Sequence, residues 1–546
     1  MSVLGLALVG ALVAPSPALA CGGFFCSSVE PVDQSAERIL FAVDEQQGTV
    51  TAHVQIFFEG DADDFAWVVP VPSVPDLFLS TDSLFSVLDE RVGPRFDIRE
   101  DRSSCTSGDE RSYAFDAVYS ASESGGVNVV STGQVGPYDT VVLQATDAAE
   151  LEAWLDGHGF DLPDGVDAAL APYLADGQYL VALRLSKDRS SGEIAPIGLR
   201  WSASSVMVPI RLTSIAARPD MRLEVYVLGQ SRAVPESYLH VVINEAMIDW
   251  WSGGANYEAV VTQAANEASG HAFATDWTGP TEGLRGSLYR EGGYGVSGFS
   301  RTDRQEFMND LMSSGLPPSQ YTLSLLQIYM PLPSDFPESN DPSSYYDCIV
   351  CYGDTSEPFD ADGLITALED QVVGPLSDAE DLFWVYPHLT RMTSSLDAVE
   401  MTVDPSFVFN ADMPQEVAQV RVARMYYDCG GTLTSNAANR TFTLPDGRMY
   451  FLPSEDWFAS SGISEFEYMQ EHLADVAANI IERTGPDGLP EAMYDRTAEA
   501  LDESLRFNDA VGELLGCAGG CSGAGRGGGV ALTAGALALL ARRRRS

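Results

Sequence analysis

The chain has 546 residues, which allows roughly three or four domain-sized units. Its composition is 45% hydrophobic and 10% aromatic, which excludes a disordered polymer. The chain has 79 acidic against 31 basic residues and a net charge of −48, and Lys187 is its single lysine. A protein with this net charge has a negative surface, which repels phosphate groups. No nucleic-acid partner is therefore predicted, and docking on an anionic membrane surface is not expected.

The N-terminal segment has the pattern of a secretory signal. Residues 2–14 form an apolar run that two prolines end, and small residues follow as Ala18-Leu19-Ala20. This order predicts a signal peptide over residues 1–20, with signal peptidase as a partner and a cut after Ala20. Cys21 would then be the first residue, which leaves a lipoprotein as an alternative. The alanine three places before that cysteine favours ordinary cleavage.

A β-hairpin is predicted next. Apolar and polar residues alternate from Val50 to Phe58, which is the period of a half-buried strand. The segment from Asp44 to Gly48 predicts the turn that joins it to a strand beginning at Arg38. A third strand is predicted from Phe65 to Val71. After a polar stretch over residues 97–112, β-rich sequence resumes and runs to Gln144. Residues 21–145 are therefore predicted to be a β-rich N-terminal region.

The remaining body mixes both element types. Asp147 and Glu150 form a capping box that predicts a helix ending at Gly157. Further helices are predicted over 165–175, 256–268, 303–314, 319–329, 361–373 and 463–512, and strands near 178–186, 194–201, 205–212 and 222–229. The predicted regions are 146–235 (α+β), 236–345 (mostly helical), 346–455 and 456–516 (acidic and helical). The predicted fold class is α+β, and the lack of a repeat disfavours solenoids and propellers.

The C-terminal tail, residues 517–546, has the order of a sorting signal. Gly516 and Cys517 precede a glycine-rich stretch, a short apolar helix over 530–541, and the arginine cluster Arg542, Arg543, Arg544 and Arg545. The apolar part is shorter than the ~20 residues that a membrane-spanning helix needs. The arginines would stop translocation until a membrane sorting protease acts. The tail resembles the MYXO-CTERM signal of myxobacterial surface proteins, which implies tail removal and an exported protein anchored at the outer cell surface.

Several short motifs together carry a family resemblance. They are Cys21-Gly-Gly-Phe-Phe-Cys26, Pro31-Val-Asp-Gln34, Glu37-Arg38, Trp67-Val-Val-Pro-Val-Pro72, Leu389-Thr-Arg391 and Met401-Thr-Val-Asp-Pro405. In combination they resemble domain of unknown function 2330, over about residues 21 to 430, with 346–455 as the C-terminal part of the family domain. The resemblance implies a secreted bacterial protein. It implies no chemistry, because none is assigned to the family.

Six cysteines of the exported part are candidates for disulfides: Cys21, Cys26, Cys105, Cys348, Cys351 and Cys429. An even number in an exported protein predicts disulfides, with fifteen possible pairings. Cys21 with Cys26 and Cys348 with Cys351 are the local candidates, which would leave Cys105 with Cys429. A redox dithiol or half of a zinc site are the alternatives for Cys348 and Cys351, but a redox motif favours a helix N-terminus and zinc needs two further ligands.

No known catalytic or cofactor motif is present. The histidines have no H-E-x-x-H spacing, no serine lies in G-x-S-x-G, and the glycines of residues 291–295 lack a following lysine. No metal ligand and no cofactor is therefore predicted. The acidic stretches 61–64 and 360–363 begin like calcium loops but do not complete an EF-hand, and they are interpreted as solvated loops. The aromatic pairs at 250–251, 345–346 and 426–427 would stack on sugars if exposed, but they more often pack in a core.

These patterns favour an exported, surface-retained and non-enzymatic protein, a binding or cell-envelope module for an unidentified extracellular ligand. The alternative is a secreted hydrolase whose site is assembled from residues far apart in sequence. A pocket lined by a pair of carboxylates, or by a histidine beside a serine or an aspartate, would favour the hydrolase.

Overall fold

The computed structural model describes most of the chain between Asp33 and Leu514. The described ranges are residues 24–25, 33–59, 66–105, 131–144, 151, 166–185, 195–203, 205–215, 217–290, 293–334, 336–337, 341–430 and 433–514. The signal segment and the tail lie outside these ranges, and of the helix predicted from Asp147 only Leu151 lies within them.

The strands are numbered here in chain order. They are Phe24–Phe25 (β1), Asp33–Asp44 (β2), Thr49–Glu59 (β3), Ala66–Val71 (β4), Asp76–Leu79 (β5), Arg95–Asp101 (β6), Ser131–Val135 (β7), Tyr138–Gln144 (β8), Tyr179–Leu185 (β9), Ile197–Ser202 (β10), Val206–Met207 (β11), Ala217–Gly229 (β12), Ala233–Pro235 (β13), Leu239–Ile243 (β14), Ala272–Pro280 (β15), His388–Leu396 (β16), Ser406–Phe409 (β17), Val420–Asp428 (β18), Asn439–Thr443 (β19), Met449–Leu452 (β20), Ala478–Arg483 (β21) and Glu491–Asp495 (β22).

The helices are numbered in the same way. They are Asp82–Val92 (α1), Val166–Ala175 (α2), Ile210–Thr213 (α3), Tyr257–Glu267 (α4), Arg304–Ser314 (α5), Gln320–Tyr329 (α6), Ser343–Asp347 (α7), Ala361–Leu368 (α8), Gly374–Val385 (α9), Glu455–Ser461 (α10), Glu465–His472 (α11) and Thr497–Leu514 (α12). A π turn, Glu369–Val373, joins α8 to α9.

A mixed ten-stranded sheet organises the described residues. Its strand order is β22-β21-β14-β15-β16-β12-β2-β3-β10-β5. Strand β12 runs parallel to β2, and β14 runs parallel to β15, whereas the other neighbours are antiparallel. Three smaller sheets have the orders β1-β4-β9-β8-β7, β20-β19-β18-β6 and β11-β17-β13. Residues that are hundreds of positions apart thus become neighbours in one sheet.

The two faces of the ten-stranded sheet are covered by different layers. Alternate residues of β2 point to opposite faces. Ile39 and Phe41 pack in a core shared with the five-stranded sheet. Leu40 and Ala42 pack in a second core with α1, α5, α6, α8 and α9. The predicted α+β fold class is confirmed.

The predicted N-terminal hairpin is confirmed, but its strand is not half-buried. Strands β2 and β3 pair antiparallel, and Gly48 in the connecting turn has a left-handed φ of 64°. The polar positions of β3 are also buried, because helices cover the second face. They are satisfied by neighbours: His53 lies 2.7 Å from Ser80 Oγ, and Gln55 donates to Asp82 at 2.8 Å.

Two other predictions of local structure are corrected. Residues 463–512 are not one helical stretch, because β21 and β22 form a hairpin between α11 and α12 and extend the ten-stranded sheet. There, strand pairing between residues far apart in sequence overrides the local pattern. Within 205–212, only β11 is a strand, and α3 begins at Ile210, directly after Pro209. The region 236–345 contains the strands β14 and β15 beside its helices.

Candidate functional site

Two adjacent residues of β2, Glu37 and Arg38, lie at two clefts on opposite faces of the ten-stranded sheet. Glu37 faces the five-stranded sheet and is 3% exposed, whereas Arg38 faces the helices and is 8% exposed. A buried charge costs free energy unless it is paired and hydrogen-bonded. The partners of each side chain therefore determine what each cleft can bind.

The Glu37 cleft lies between the ten-stranded and five-stranded sheets and has a volume of about 330 Å³. Its walls are mostly apolar. They are formed by Ile39, Phe41, Ala52, Val54, Trp67, Val69, Pro70, Val71, Pro72, Leu199, Trp201, Met207 and Pro209. The exposed residues Ser202 and Ser205 lie at its opening. A cleft of this size with apolar walls and few polar groups is the usual form of a small-molecule site.

Glu37 is the one ionisable residue that lines this cleft among the described residues. Burial raises the pKa of Glu37 to about 7, although a hydrogen bond from Gln34 acts in the opposite direction. That bond joins Gln34 Nε2 to Glu37 Oε2 at 3.2 Å. Within the part of the chain that the structure describes, no arginine or histidine pairs with this carboxylate. Glu37 is therefore partly protonated at neutral pH.

Three further polar atoms around the Glu37 cleft are buried and lack a hydrogen-bond partner among the described residues. They are Trp201 Nε1, Gln178 Oε1 and Gln34 Oε1. Trp201 and Gln178 line the cleft, and Gln34 lies beside Glu37. Unsatisfied groups of this kind cost free energy unless a ligand or a water meets them. Acceptors outnumber donors in this set, which fits a ligand whose polar group donates hydrogen bonds.

The opposite face carries a network of ion pairs. We call it the arginine network and define it as Arg38, Asp89, Glu224, Asp276 and Arg391. Glu224 lies opposite Arg38 in the pairing of β12 with β2. Its Oε2 atom is 3.1 Å from Arg38 Nε and 3.1 Å from Arg391 Nη2. One buried carboxylate is thus held between two guanidinium groups from flanking strands.

The other two acids of the arginine network come from a helix and a bulge. Asp89 on α1 has Oδ2 2.6 Å from Arg38 Nη2 and Oδ1 3.1 Å from Arg391 Nη2. Asp276 is the extra residue where the register of β15 shifts, and its Oδ2 is 3.3 Å from Arg391 Nε. A bulge turns a side chain away from the regular alternation. The network thereby joins α1 to four strands of the sheet, β2, β12, β15 and β16.

Burial opposes ionisation of all three acids, but its effect prevails for only two of them. It raises the pKa of Asp89 and of Asp276, despite the nearby arginines. Burial also opposes ionisation of Glu224, but Arg391 and Arg38 outweigh it and lower the pKa of that carboxyl. Burial alone would lower the pKa of Arg391, whereas the surrounding oxygens raise it well above its ordinary value. Glu224 and Arg391 are therefore both charged at neutral pH.

The arginine cleft lies directly against this network and has a volume of about 370 Å³. It is lined by Arg38, Asp89, Gly93, Pro94, Arg95, Arg222, Glu224, Gly254, Ala255, Tyr257, Glu258, Arg391 and Thr393. Arg222 extends the arginine network outward, with Nε 3.3 Å from Glu224 Oε1 and an ion pair to Glu258.

A third cleft, the acidic cleft, has a volume of about 640 Å³. It is lined by Asp44, Asp76, Asp378 and Asp381, together with His53, Arg200, Tyr386 and other residues. Burial and the neighbouring Asp381 raise the pKa of Asp378. His53 lies beside Ser80, but burial and Arg200 lower the pKa of His53 to about 3. An imidazole with so low a pKa is a poor general base.

The structure joins four of the six candidate cysteines in two disulfides. One links Cys105 to Cys429, at a sequence separation of 324, and the other links Cys348 to Cys351. The remaining candidates Cys21 and Cys26, and the processing residues Ala20, Gly516, Cys517 and Arg542 to Arg545, lie outside the described residues. Within the described ranges, no group of three or more His, Cys, Asp or Glu side chains could hold a metal ion.

The acidic stretch at 360–363 is a helix start, which corrects its interpretation as a solvated loop. Asp360 accepts a hydrogen bond from the Gly363 N–H at 2.9 Å and caps α8, and Asp362 pairs with Arg301 at 2.7 Å. The stretch at 61–64 lies outside the described residues. Most of the aromatic pairs pack in cores, as Trp250, Tyr345, Tyr346 and Tyr427 do.

Comparison with known proteins gives one family. The family model described as "Uncharacterized protein conserved in bacteria (DUF2330)" matches residues 15–291, just over half of the chain. The chain belongs to this family. The DUF2330 match ends before the segments 389–391 and 401–405, so it is shorter than the resemblance in sequence predicted. The curated proteins and the solved structures contain no significant match.

In this DUF2330 protein, the sequence motifs contain part of the arginine network but not its centre. The motifs contain Arg38 and Arg391 but predict no role for them, and Glu224, Asp89 and Asp276 lie outside every motif. Glu224 interrupts an apolar strand, Met221 to Gly229, and that interruption is the signal that could have identified it.

Among the described residues, no helix is long and apolar enough to span a membrane.

Proposed function

We propose that this protein is an exported binding module, retained at the outer cell surface, which binds a small apolar amine in the Glu37 cleft. One observation carries the proposal: an apolar cleft contains a buried carboxyl group that has no cationic partner among the described residues. An ammonium group would pair with Glu37 and could donate to Gln178 Oε1, while the apolar walls would take the rest of the ligand. The net charge of −48 also attracts cations.

The ligand proposal is tested with hexylamine, hexanol and hexanoate as probes on the full chain. Binding is followed by calorimetry and by the fluorescence of Trp67 and Trp201, which line the cleft. We expect saturable binding of hexylamine, with proton release near pH 7 because the ammonium group lowers the pKa of Glu37. Glu37→Gln should weaken hexylamine binding about tenfold, or ~1.4 kcal/mol. Glu491→Gln, on an exposed edge strand, is the control. Equal binding of hexylamine and hexanol by both variants would refute the proposal.

The export route is part of the same proposal. Two disulfides among the described residues are typical of an oxidising compartment outside the cytoplasm. We propose cleavage after Ala20 by signal peptidase and processing of the tail near Gly516 and Cys517, as the similarity to MYXO-CTERM signals implies. The terminal arginines would hold the precursor in the inner membrane until the sorting protease acts.

Cell fractionation tests this route. Cys517→Ala should leave an uncut precursor, and deletion of residues 517–546 should release the protein into the medium. If the truncated protein stayed on cells at the level of the full chain, the tail would not be the anchor, and lipidated Cys21 would replace it.

A secreted hydrolase is the second candidate, and the acidic cleft favours it. Asp378 and Asp381 are spaced i, i+3 on α9, so their carboxyl groups lie on one helix face. Asp378, whose pKa is raised, therefore has a second carboxyl group beside it, and glycoside hydrolysis uses a pair of carboxyl groups. Hydrolysis of 4-nitrophenyl glycosides that disappears in Asp378→Asn and persists in Glu491→Gln, an exposed position outside the acidic cleft, would support this candidate. Equal rates for both variants would reject it.

A further inference from the structure

The arginine cleft gathers cationic side chains of a chain that has few of them. Arg38, Arg95, Arg222 and Arg391 line this one cleft, out of 31 basic residues in a protein with 79 acids. The acids that share the cleft already have partners. Glu224 pairs with Arg38, Arg222 and Arg391 at 3.1 to 3.3 Å. Asp89 pairs with Arg38 and Arg391, and Glu258 pairs with Arg222. The hydrogen-bonding capacity that remains is therefore on the arginines.

Arg391 has a donor that nothing in the described residues uses. Its Nη2 and Nε atoms lie near Asp89, Glu224 and Asp276, but its Nη1 atom is buried and has no hydrogen-bond partner there. The side chain is only 7% exposed. Nη1 lies against Gly93, which lines the same cleft, because a Cβ atom on Gly93 would be 2.7 Å from it. A buried N–H without an acceptor costs free energy, which a ligand that supplies an acceptor would recover.

We propose that the arginine cleft is a second binding site, which takes the carboxylate group of a small organic acid. The unsatisfied buried atoms are donors here, so the ligand must accept hydrogen bonds. A planar carboxylate matches the fork of a guanidinium group. Arg222 is 29% exposed and lies at the outer part of the cleft, where it attracts an approaching anion. The site lies on the sheet face opposite the Glu37 cleft, and it selects the opposite charge.

The experiment uses the full chain and sodium acetate as the probe. Calorimetry and thermal unfolding compare acetate with sodium chloride at equal ionic strength, and inorganic phosphate and methylammonium chloride are further probes. We expect saturable acetate binding that raises the unfolding temperature, weaker phosphate binding and no methylammonium binding. If acetate acts like chloride, the site does not exist. If phosphate binds more tightly than acetate, the carboxylate assignment is wrong.

A pair of matched variants locates the binding. Ala255 lines the arginine cleft and is exposed, so Ala255→Glu adds a competing carboxylate without changing a core contact. It should weaken acetate binding about tenfold. Ala437→Glu adds the same charge at an exposed position of another segment and should change binding less than about twofold. Arg391→Lys, which keeps the charge and removes the guanidinium fork, should also weaken binding. Unchanged acetate affinity in Ala255→Glu and in a folded Arg391→Lys would overturn the proposal.

Discussion

Glu37 and Glu224 are glutamates on adjacent strands, and their exposed fractions are 3% and 1%. Glu37 lies opposite Leu223, and Glu224 lies opposite Arg38, in the pairing of β2 with β12. The pKa of Glu37 is raised to about 7, whereas the pKa of Glu224 is lowered. Burial opposes the charge of both residues, so the difference comes from the arginines around Glu224. The charge state of a buried acid therefore depends on its partners, and Glu37 has no cationic partner among the described residues.

Removal of the central arginine should have the largest effect. Arg391→Met keeps the side-chain volume but leaves Glu224 and Asp276 with one cation fewer, and it should reduce the free energy of unfolding by about 3–5 kcal/mol. Urea unfolding measures this change. Arg483→Met is the control, because Arg483 is 58% exposed beside an exposed glutamate and should cost at most about 1 kcal/mol. If Arg391→Met lost no more free energy of unfolding than the control, the ion pair between Arg391 and Glu224 would not stabilise the fold.

The two glutamates should respond to pH with opposite signs. Glu37 has a pKa of 4.5 when unfolded and about 7 when folded. Below pH 4.5 both states are protonated. Between pH 4.5 and 7 the unfolded chain releases its proton and the folded chain keeps it, so stability falls as pH rises. Glu37→Gln cannot ionise, and its free energy of unfolding should exceed that of the parent by about 3 kcal/mol at pH 8 and by little at pH 4.

Glu224→Gln is the counterpart of that experiment. The contribution of Glu224 is present above pH 4.5 and is lost as pH falls through its lowered pKa, so the variant should be less stable than the parent at pH 8. Urea unfolding at pH 4, 6 and 8 checks both variants. If both variants changed the free energy of unfolding in the same direction at pH 8, the opposite effects expected for the two glutamates would be contradicted.

A smaller effect is expected from one hydroxyl group. Tyr226 donates to Glu224 Oε2 at 3.0 Å, so Tyr226→Phe removes a hydrogen bond to a charged carboxylate. The expected loss is about 1.5–3 kcal/mol in the free energy of unfolding. Tyr494→Phe, at a position 44% exposed, is the control and should cost less than about 0.5 kcal/mol. No difference between the two variants would show that the arginines alone hold Glu224.

Local pattern determined the first part of the fold. The alternation in β3 and the turn at Asp44 to Gly48 were sufficient to predict the hairpin, because period and turn chemistry act over a few residues. The same pattern did not predict that the second face of β3 is buried, since that depends on helices far along the chain. The prediction of a helical stretch over 463–512 failed for the same reason, since a local pattern does not show contacts with distant segments. The hairpin in this stretch is stabilised by the pairing of β21 with β14.

The sequence by itself determined the α+β class, the acidic surface, the N-terminal hairpin and the set of cysteines. Only the tertiary structure brought Arg38, Glu224 and Arg391 together, because strand order in a mixed sheet is not encoded in local periodicity. The position of Asp276 required a bulge, which appears only when β15 pairs with its neighbour. Glu37 acquired its raised pKa from the apolar layer packed over it. These properties arise from long-range contacts, whose energies depend on neighbours that a local pattern does not specify.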